Sequence, residues 1–455
     1  MRIPDHIFRQ YDIRGLVDGE LTPDVARSVG KAYGTLAHEQ LQETPTVAVG
    51  RDNRPSSPDL CDGLIHGLTS TGVEVVELGT VPTPTVYWAE KTLPTDGAIQ
   101  ITGSHNPPEW NGIKMTLGGS SVHSEAIQKL RKCIETAEYK KSKGRSQPLD
   151  LIDSYISDLA GRFKISRSVK VVLDCGNGVG SLVGTRLLEM IGAEVIPLYC
   201  DSDGTFPNHH PDPTVDDCLI DLIDTVEREK AELGIGFDGD ADRIGVVDEF
   251  GKIVRGDLLL LLFGLDLLRR REPGLKLIFD VKCSQVLPDE FTKAGGEAIM
   301  WKTGHSLIKD KMRTTGAALG GELSGHIFVA DGYFGFDDAP YAACLLVDLI
   351  ARSGRSLSDM VSDFPALVST PELRIEVSET SKIPLVEDAK NHFAKEREVI
   401  VVDGVRILFD GGWGLLRASN TQPIIVARYE AETSENLKEI RDEVESWLRA
   451  KGVKV

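Results

Sequence analysis

The sequence predicts three related α/β domains followed by a smaller α+β domain, and three observations lead there. The first is an internal repeat. Val47-Ala48-Val49-Gly50-Arg51-Asp52 is an apolar run ending in polar residues, with Thr71-Gly72-Val73-Glu74-Val75-Val76-Glu77 about twenty residues on. The pattern returns at Val171-Val172-Leu173-Asp174 with Ile191-Gly192-Ala193-Glu194-Val195-Ile196. It returns again at Leu277-Ile278-Phe279-Asp280 with Ala294-Gly295-Gly296-Glu297-Ala298-Ile299. The second observation is a change of texture after Phe364-Pro365, where alternating stretches such as Leu373-Arg374-Ile375-Glu376-Val377 and Ile424-Ile425-Val426-Ala427-Arg428-Tyr429 begin. The third is length: 455 residues suit three or four domains at roughly 100–200 residues each.

Each repeat reads strand, helix, Gly-marked turn, strand, which is a βαβ unit with a right-handed crossover. The last part of the chain, ending in a charged helix over 434–450, reads as a mainly antiparallel α+β unit. Joints fall in the polar stretch 140–147, which suits a linker or a long helix end, and near Gly251. The resulting domains are 1–148, 149–251, 252–366 and 367–455. The greasiest run, 258–265, is far too short to span a bilayer and is flanked by Asp257 and Asp266, so a buried helix is expected.

Net charge is −19, which argues against a general nucleic-acid or anionic-membrane binder. It does not exclude an anionic small substrate, because a cleft can be locally basic. The seven cysteines are odd in number, widely spaced and free of any Cys-x-x-Cys. They read as reduced thiols of a cytoplasmic protein, not as disulfides or a zinc site. The first residues lack the apolar core of a signal peptide.

Four loops can carry chemistry. In Thr102-Gly103-Ser104-His105-Asn106-Pro107-Pro108, after the apolar run 97–101, two prolines lack N–H groups and Pro107 pushes Asn106 out of helical geometry. Ser104, at a strand end beside His105, suits a nucleophile or phosphate carrier, and equally a turn cap. Asp238-Gly239-Asp240-Ala241-Asp242-Arg243 lies between two apolar runs. Its three carboxylates repel unless a hard divalent cation joins them, and Mg²⁺ suits best where a substrate oxygen completes the shell. An EF-hand is rejected because Arg243 stands where glycine is needed; a polar hairpin turn is the plainer alternative. Arg243 suits a phosphate clamp or a salt bridge to the aspartates.

The third loop, Gly320-Gly321-Glu322-Leu323-Ser324-Gly325-His326, offers hydrogen bonds to neighbouring sugar hydroxyls, or a solvated Gly-rich turn. The fourth, Arg417-Ala418-Ser419-Asn420-Thr421-Gln422-Pro423, makes an anion cradle or a capped turn. Lys114, Lys282, His305, Tyr11 and Arg14 would complete an anionic cleft. Cys175-Gly176-Asn177-Gly178-Val179-Gly180 imitates a dinucleotide fingerprint, but Ser181 stands where the third glycine belongs.

Together these residues resemble the α-D-phosphohexomutase family, in its bacterial and archaeal phosphomannomutase/phosphoglucomutase branch, over essentially the whole chain. The resemblance implies three α/β domains with mixed sheets and a C-terminal α+β domain around a central cleft, with one diagnostic loop in each. It implies that Ser104 carries the phosphoryl group and that Asp238, Asp240 and Asp242 bind Mg²⁺ together with it. Lys114 and Arg243 match residues at the transferring phosphate, with His105 beside them. Glu322, Leu323, Ser324, Gly325 and His326 match the sugar loop. Arg417, Ala418, Ser419, Asn420 and Thr421 match the grip on the non-reacting phosphate; Tyr11, Arg14, Lys282 and His305 match substrate contacts. In the mannose/glucose branch the residue after the glutamate is typically methionine, and in the glucosamine branch glutamine. Leu323 is apolar, which favours mannose and glucose phosphates over glucosamine phosphate.

The implied reaction moves a phosphoryl group from phosphoserine to a hexose 1- or 6-phosphate. The bound 1,6-bisphosphate turns over, and its other phosphate returns to Ser104. A hexose 1,6-bisphosphate would serve as activator, and closure of the fourth domain would keep water out. A phosphoglucosamine mutase, a metal-dependent phosphatase and a non-catalytic sugar-phosphate regulator are the competing readings. No nucleic-acid or membrane partner is expected, and no surface feature reads as an interface between copies.

Overall fold

The computed structural model describes residues 3–271, 274–419 and 422–455. Three of its sheets are mixed. In the first, the strands Thr46–Arg51, Glu74–Thr80 and Gly97–Ile101 are parallel, Trp110–Leu117 runs antiparallel beside Gly97–Ile101, and Ile13–Leu16 pairs antiparallel with Trp110–Leu117 in turn. The second sheet runs Ile253–Val254, Ile244–Asp248, Leu233–Phe237, Lys170–Asp174, Glu194–Leu198. The third runs Glu297–Trp301, Lys276–Asp280, Leu319–Gly321, Ile327–Val329.

The repeat found in the sequence is a parallel strand pair in each of the three mixed sheets. Thr46–Arg51 crosses to Glu74–Thr80 through the helix Ser57–Thr69, and Lys170–Asp174 to Glu194–Leu198 through Gly184–Met190. In the third copy Lys276–Asp280 crosses to Glu297–Trp301 through Val286–Lys293. The marker glycines Gly72, Gly192 and Gly295 sit at φ +95°, +104° and +94°. Side chains avoid that region, so the turn before each second strand depends on glycine.

The fourth sheet is antiparallel throughout, built from Val368–Ser369, Leu373–Glu376, Ile424–Ala431, Gly412–Ala418, Val405–Phe409 and Val399–Ile400. The helix Ser434–Ala450 closes it, with the side chain of Thr433 accepting the N–H of Asn436. Two details differ from expectation. The stretch 140–147 is neither a free linker nor a helix end: Ser146–Pro148 adds an edge strand to the first sheet. The second sheet takes its edge from Ile253–Val254, beyond Gly251. The greasy run lies in the helix Gly256–Arg270, which is largely buried. Among the described residues no helix is long and apolar enough to cross a membrane, and all seven cysteines are unpaired.

One apolar core runs through the first three domains, from Ala48 and Tyr87 through Leu173 and Phe237 to Leu277 and Leu346. Burying a side chain of this size contributes about 1.5–3 kcal/mol relative to leaving it in water. The fourth domain has its own core, around Ile407, Tyr429 and Leu448. Only a small apolar cluster, Val281 with Trp413 and Leu415, spans the junction between the third and fourth.

Candidate active site

The residues with chemical potential stand at the carboxyl ends of strands in the first three sheets, where α/β sheets present their ligand sites. Ser104 follows Gly97–Ile101, Asp238 follows Leu233–Phe237, and Lys282 follows Lys276–Asp280. Thr303 follows Glu297–Trp301, and Glu322 follows Leu319–Gly321. The sheets are arranged so that these ends face one another.

Ser104 is 2% exposed, with its backbone at φ +50°. Its hydroxyl donates to Asp238 Oδ2 at 2.8 Å and lies 3.1 Å from His105 Nδ1. With its one proton committed to Asp238, the serine oxygen accepts from the imidazole. Burial, then Arg243, Arg14 and Lys114, hold His105 well below the usual imidazole range, so the ring is neutral.

The Asp238–Asp242 loop is the hairpin turn between antiparallel strands, with Phe237 opposite Ile244. Its three carboxylates are fully buried, and one oxygen from each lies within 4.8 Å of the others. Asp238 Oδ1 accepts the N–H groups of Asp242 and Arg243, both at 3.1 Å. Lys114 Nζ reaches Asp240 Oδ2 at 2.7 Å and Asp242 Oδ2 at 2.5 Å. Burial works against the Lys114 charge, but Asp240 and Asp242 outweigh it and hold its pKa above the ordinary value. Burial beside Asp240 and Asp242 raises the Asp238 carboxyl well above its usual range.

Asp240 Oδ1 and Asp242 Oδ1 are buried with no hydrogen-bond partner. Two orphaned anionic oxygens beside a serine hydroxyl are the donor set a hard divalent cation takes, so these residues fit Mg²⁺.

Arg243 Nε donates to His326 Nε2 at 3.0 Å. His326 Nδ1 lies 3.1 Å from Asp337 Oδ2. Asp337 accepts from Lys309 at 2.9 Å, and the rings of His305 and His326 stack at 5.6 Å. The Glu322–His326 loop lies directly on the Asp238–Asp242 hairpin. Ile244 N–H donates to Gly325 O at 3.1 Å, and a Cβ on Gly325 would stand 2.3 Å from Ile244 O. Glu322 accepts the Gly304 N–H and the Ser324 hydroxyl, and Leu323 N–H reaches Asp280.

The remaining expected residues are tied elsewhere. Arg417 Nε donates to Asp403 Oδ2 at 2.6 Å, and that same oxygen accepts Thr303 N–H at 3.0 Å. Tyr11 hydroxyl donates to Thr303 O at 2.6 Å. One residue, Thr303, thus joins the first, third and fourth domains. Lys282 pairs with Glu372 at 3.0 Å, across the third and fourth domains. Arg14 donates to Asn106 and to Asp12. Ala418 ends its strand opposite Ile425, and Ser419 accepts from Gln422 N–H. Asn420 and Thr421 lie outside the described residues.

The sequence reading missed Thr83, whose hydroxyl donates to Asp240 Oδ2 at 2.5 Å, together with Asp337, Lys309, Asp403 and Glu372. It noted Asp52 only as a strand end and passed over Arg54. Their signal was faint: Asp52 and Arg54 follow a parallel strand, and Asp337 precedes the Asp338 that caps the helix Ala339–Ser353.

Comparison with known proteins now becomes decisive. Models of the four phosphoglucomutase/phosphomannomutase domains match residues 5–141, 153–251, 255–367 and 372–446, in that order. The chain belongs to the phosphoglucomutase/phosphomannomutase family. A phosphomannomutase/phosphoglucomutase of Pseudomonas aeruginosa is 44% identical over 449 residues, covering 98% of this chain and 96% of that protein. A phosphoglucomutase of Neisseria meningitidis is 43% identical, covering 98% and 97%. The crystal structure of a phosphoglucomutase/phosphomannomutase family protein from Burkholderia thailandensis superposes with a TM-score of 0.93 at 41% identity, covering 99% and 98%. The expected family and fold class therefore both stand, in an enzyme of this family.

Proposed function

We propose that this chain is a cytoplasmic phosphomannomutase/phosphoglucomutase, interconverting the 1-phosphates and 6-phosphates of mannose and glucose through a phosphoserine at Ser104 and a bound 1,6-bisphosphate. The observation that carries this is the Ser104 hydroxyl on Asp238, inside a buried cluster whose carboxylates keep two oxygens unpartnered. A protein that only binds sugar phosphates needs no such serine.

Asp238, Asp240 and Asp242 would hold Mg²⁺ with the serine's phosphoryl oxygens; the bound ion supplies charge neutralisation and an orienting template. Arg243 and Lys114 supply fixed positive charge at the transferring group, and the neutral His105 offers an N–H to the serine oxygen. Asp238 Oδ2, which accepts the Ser104 hydroxyl, is placed to take that proton as the serine oxygen regains the phosphoryl group and to return it when the phosphoryl group leaves. Glu322, Ser324 and His326 present hydrogen bonds to the sugar, and Arg417 with its loop grips the far phosphate. Tyr11, Arg14, Lys282 and His305 line the path between. The bisphosphate turns end for end between these two grips, and free hexose 1,6-bisphosphate primes dephosphorylated enzyme. Leu323 is an apolar residue at the position that separates the mannose/glucose branch from the glucosamine branch.

Phosphorus NMR of mannose 1-phosphate and glucose 1-phosphate, with Mg²⁺ and a trace of glucose 1,6-bisphosphate, tests the reading. Appearance of 6-phosphates without inorganic phosphate is expected. Accumulating inorganic phosphate would instead make the protein a phosphatase.

A further inference from the structure

Outside the groups assigned above, the most heavily bonded buried charge is Arg54, 1% exposed. Its guanidinium commits all five N–H donors. Nε donates to Asp52 Oδ2 at 3.1 Å. One terminal nitrogen donates to Pro107 O at 2.6 Å and Trp110 O at 3.1 Å. The other donates to Ser104 O at 2.7 Å and Asn106 O at 2.6 Å. Every carbonyl it holds belongs to the serine loop or its exit.

The loop's own chemistry explains the need. Pro107 and Pro108 have no N–H, so the segment lacks two donors with which it could tie its carbonyls. Ser104 sits at φ +50°, where residues with a Cβ are strained, so its surroundings must impose that conformation. Asp52 completes the grip by accepting the Gly103 N–H at 3.1 Å. Gly103 lies against the guanidinium so closely that a Cβ there would stand 2.5 Å from Arg54 Cζ. Phe206, from the second domain, covers the other side, its ring centre 5.0 Å from Cζ.

We propose that Arg54 is a positioning residue for phosphoryl transfer: its five-donor fork holds the Ser104 peptide in the left-handed conformation that aims Oγ at the Asp238–Asp242 cluster. The inference rests on the mutase reading. The fork is specific to arginine. Lysine offers three donors from one point and cannot span four carbonyls and a carboxylate in a plane. A misplacement of about 1 Å at a nucleophile costs on the order of 10²-fold in rate.

The test compares wild type, Arg54→Lys and Gly103→Ala in the full chain. Gly103→Ala keeps the guanidinium and displaces the loop from it. Three quantities are read: kcat and KM for glucose 1-phosphate, the rate of Ser104 phosphorylation by glucose 1,6-bisphosphate from intact mass, and thermal unfolding. Both variants are expected to lose ~10²-fold in kcat and in Ser104 phosphorylation, with KM changed less than about threefold, because the sugar and its far phosphate are gripped by other domains. A role in folding alone would lower the unfolding temperature and leave kcat per folded molecule at the wild-type value; that result overturns the proposal. If Arg54→Lys does not fold, Gly103→Ala decides, and wild-type kcat there overturns it equally. If wild type itself leaves glucose 1-phosphate unconverted, the mutase reading has failed, and the rate of Ser104 phosphorylation still decides Arg54.

Discussion

The two ends of the cleft are built differently. At the serine end, one apolar core runs through the first three domains beside a second core of the first, and Ser104, Lys114 and the three aspartates meet there buried. At the Arg417 end, the fourth domain keeps its own core and joins the third mainly through polar bonds. Arg406, fully buried over the Trp413 ring at 3.7 Å, donates to Val281 O and Cys283 O, each at 2.9 Å. Arg428 reaches Lys282 O, Lys282 pairs with Glu372, and Asp403 bridges Arg417 to Thr303. Apolar packing is dense and resists sliding, whereas directional bonds between separate cores can be exchanged. The difference suits a reaction in which phosphoryl transfer needs a rigid frame and the far phosphate needs a grip that opens.

Five experiments can break or sharpen that contrast. The largest effect is expected from Ser104→Ala, which removes the acceptor oxygen at the rigid end. Conversion of glucose 1-phosphate should fall to the detection limit with the unfolding temperature unchanged. Residual turnover above ~1% of wild type would point to another phosphate carrier. Next, Arg243→Ala deletes one fixed charge at the transferring group and should cost ~10²–10³ in kcat, about 3–4 kcal/mol, by analogy with oxyanion donors. Stopped-flow phosphorylation of Ser104 by bisphosphate measures it directly.

At the Arg417 end, Arg406→Leu leaves the carbonyls of Val281 and Cys283 buried without their donor, a loss of about 3 kcal/mol. Differential scanning calorimetry should then show the fourth domain melting before the rest; a single intact transition would mean that the junction is as rigid as the core. Arg417→Ala should raise KM ~10–100-fold, as expected for removal of a charge-assisted hydrogen bond of about 1.5–3 kcal/mol, and leave phosphoserine hydrolysis by water untouched. Equal loss of both would move Arg417 to the reacting phosphate.

The smallest effect is acid loosening of the same junction. Lys282 beside Glu372, working against burial, depresses that carboxyl from 4.5 to about 2. A depressed acid stabilises the fold above its unfolded pKa and loses that contribution as pH falls through the folded one. Stability at the junction should therefore drop between pH 4.5 and about pH 2, read by the emission of Trp413. Glu372→Gln should flatten that drop.

Most of the fold and much of the site were legible in the sequence, for local reasons. A βαβ unit writes itself in apolar runs and a glycine at positive φ, and Gly72, Gly192 and Gly295 all obey. The serine, aspartate and sugar loops each sit within a few residues of a strand end, so their chemistry is local too. What escaped was long-range. Arg54 is a charged residue in a loop until its distant acceptors are seen. Asp337 is one acid of a pair until His326 is stacked beside His305. Stretch 140–147 reads as a linker because an edge strand with one neighbour carries little apolar pattern. Glu372 and Asp403 matter only once the fourth domain is docked.

The contact of Gly178, Gly239 and Ser104 O has a consequence for synthesis. A Cβ on Gly178 would stand 2.6 Å from Gly239 O, and one on Gly239 2.5 Å from Ser104 O. Two domains meet there backbone to backbone, and the hydroxyl gains its acidic neighbours only through that seam. A nascent chain that has folded its first domain carries the serine without the Asp238–Asp242 carboxylates beside it. More than half of the polypeptide must leave the ribosome before residues 238–242 can dock against Ser104, so the cluster is assembled late in synthesis.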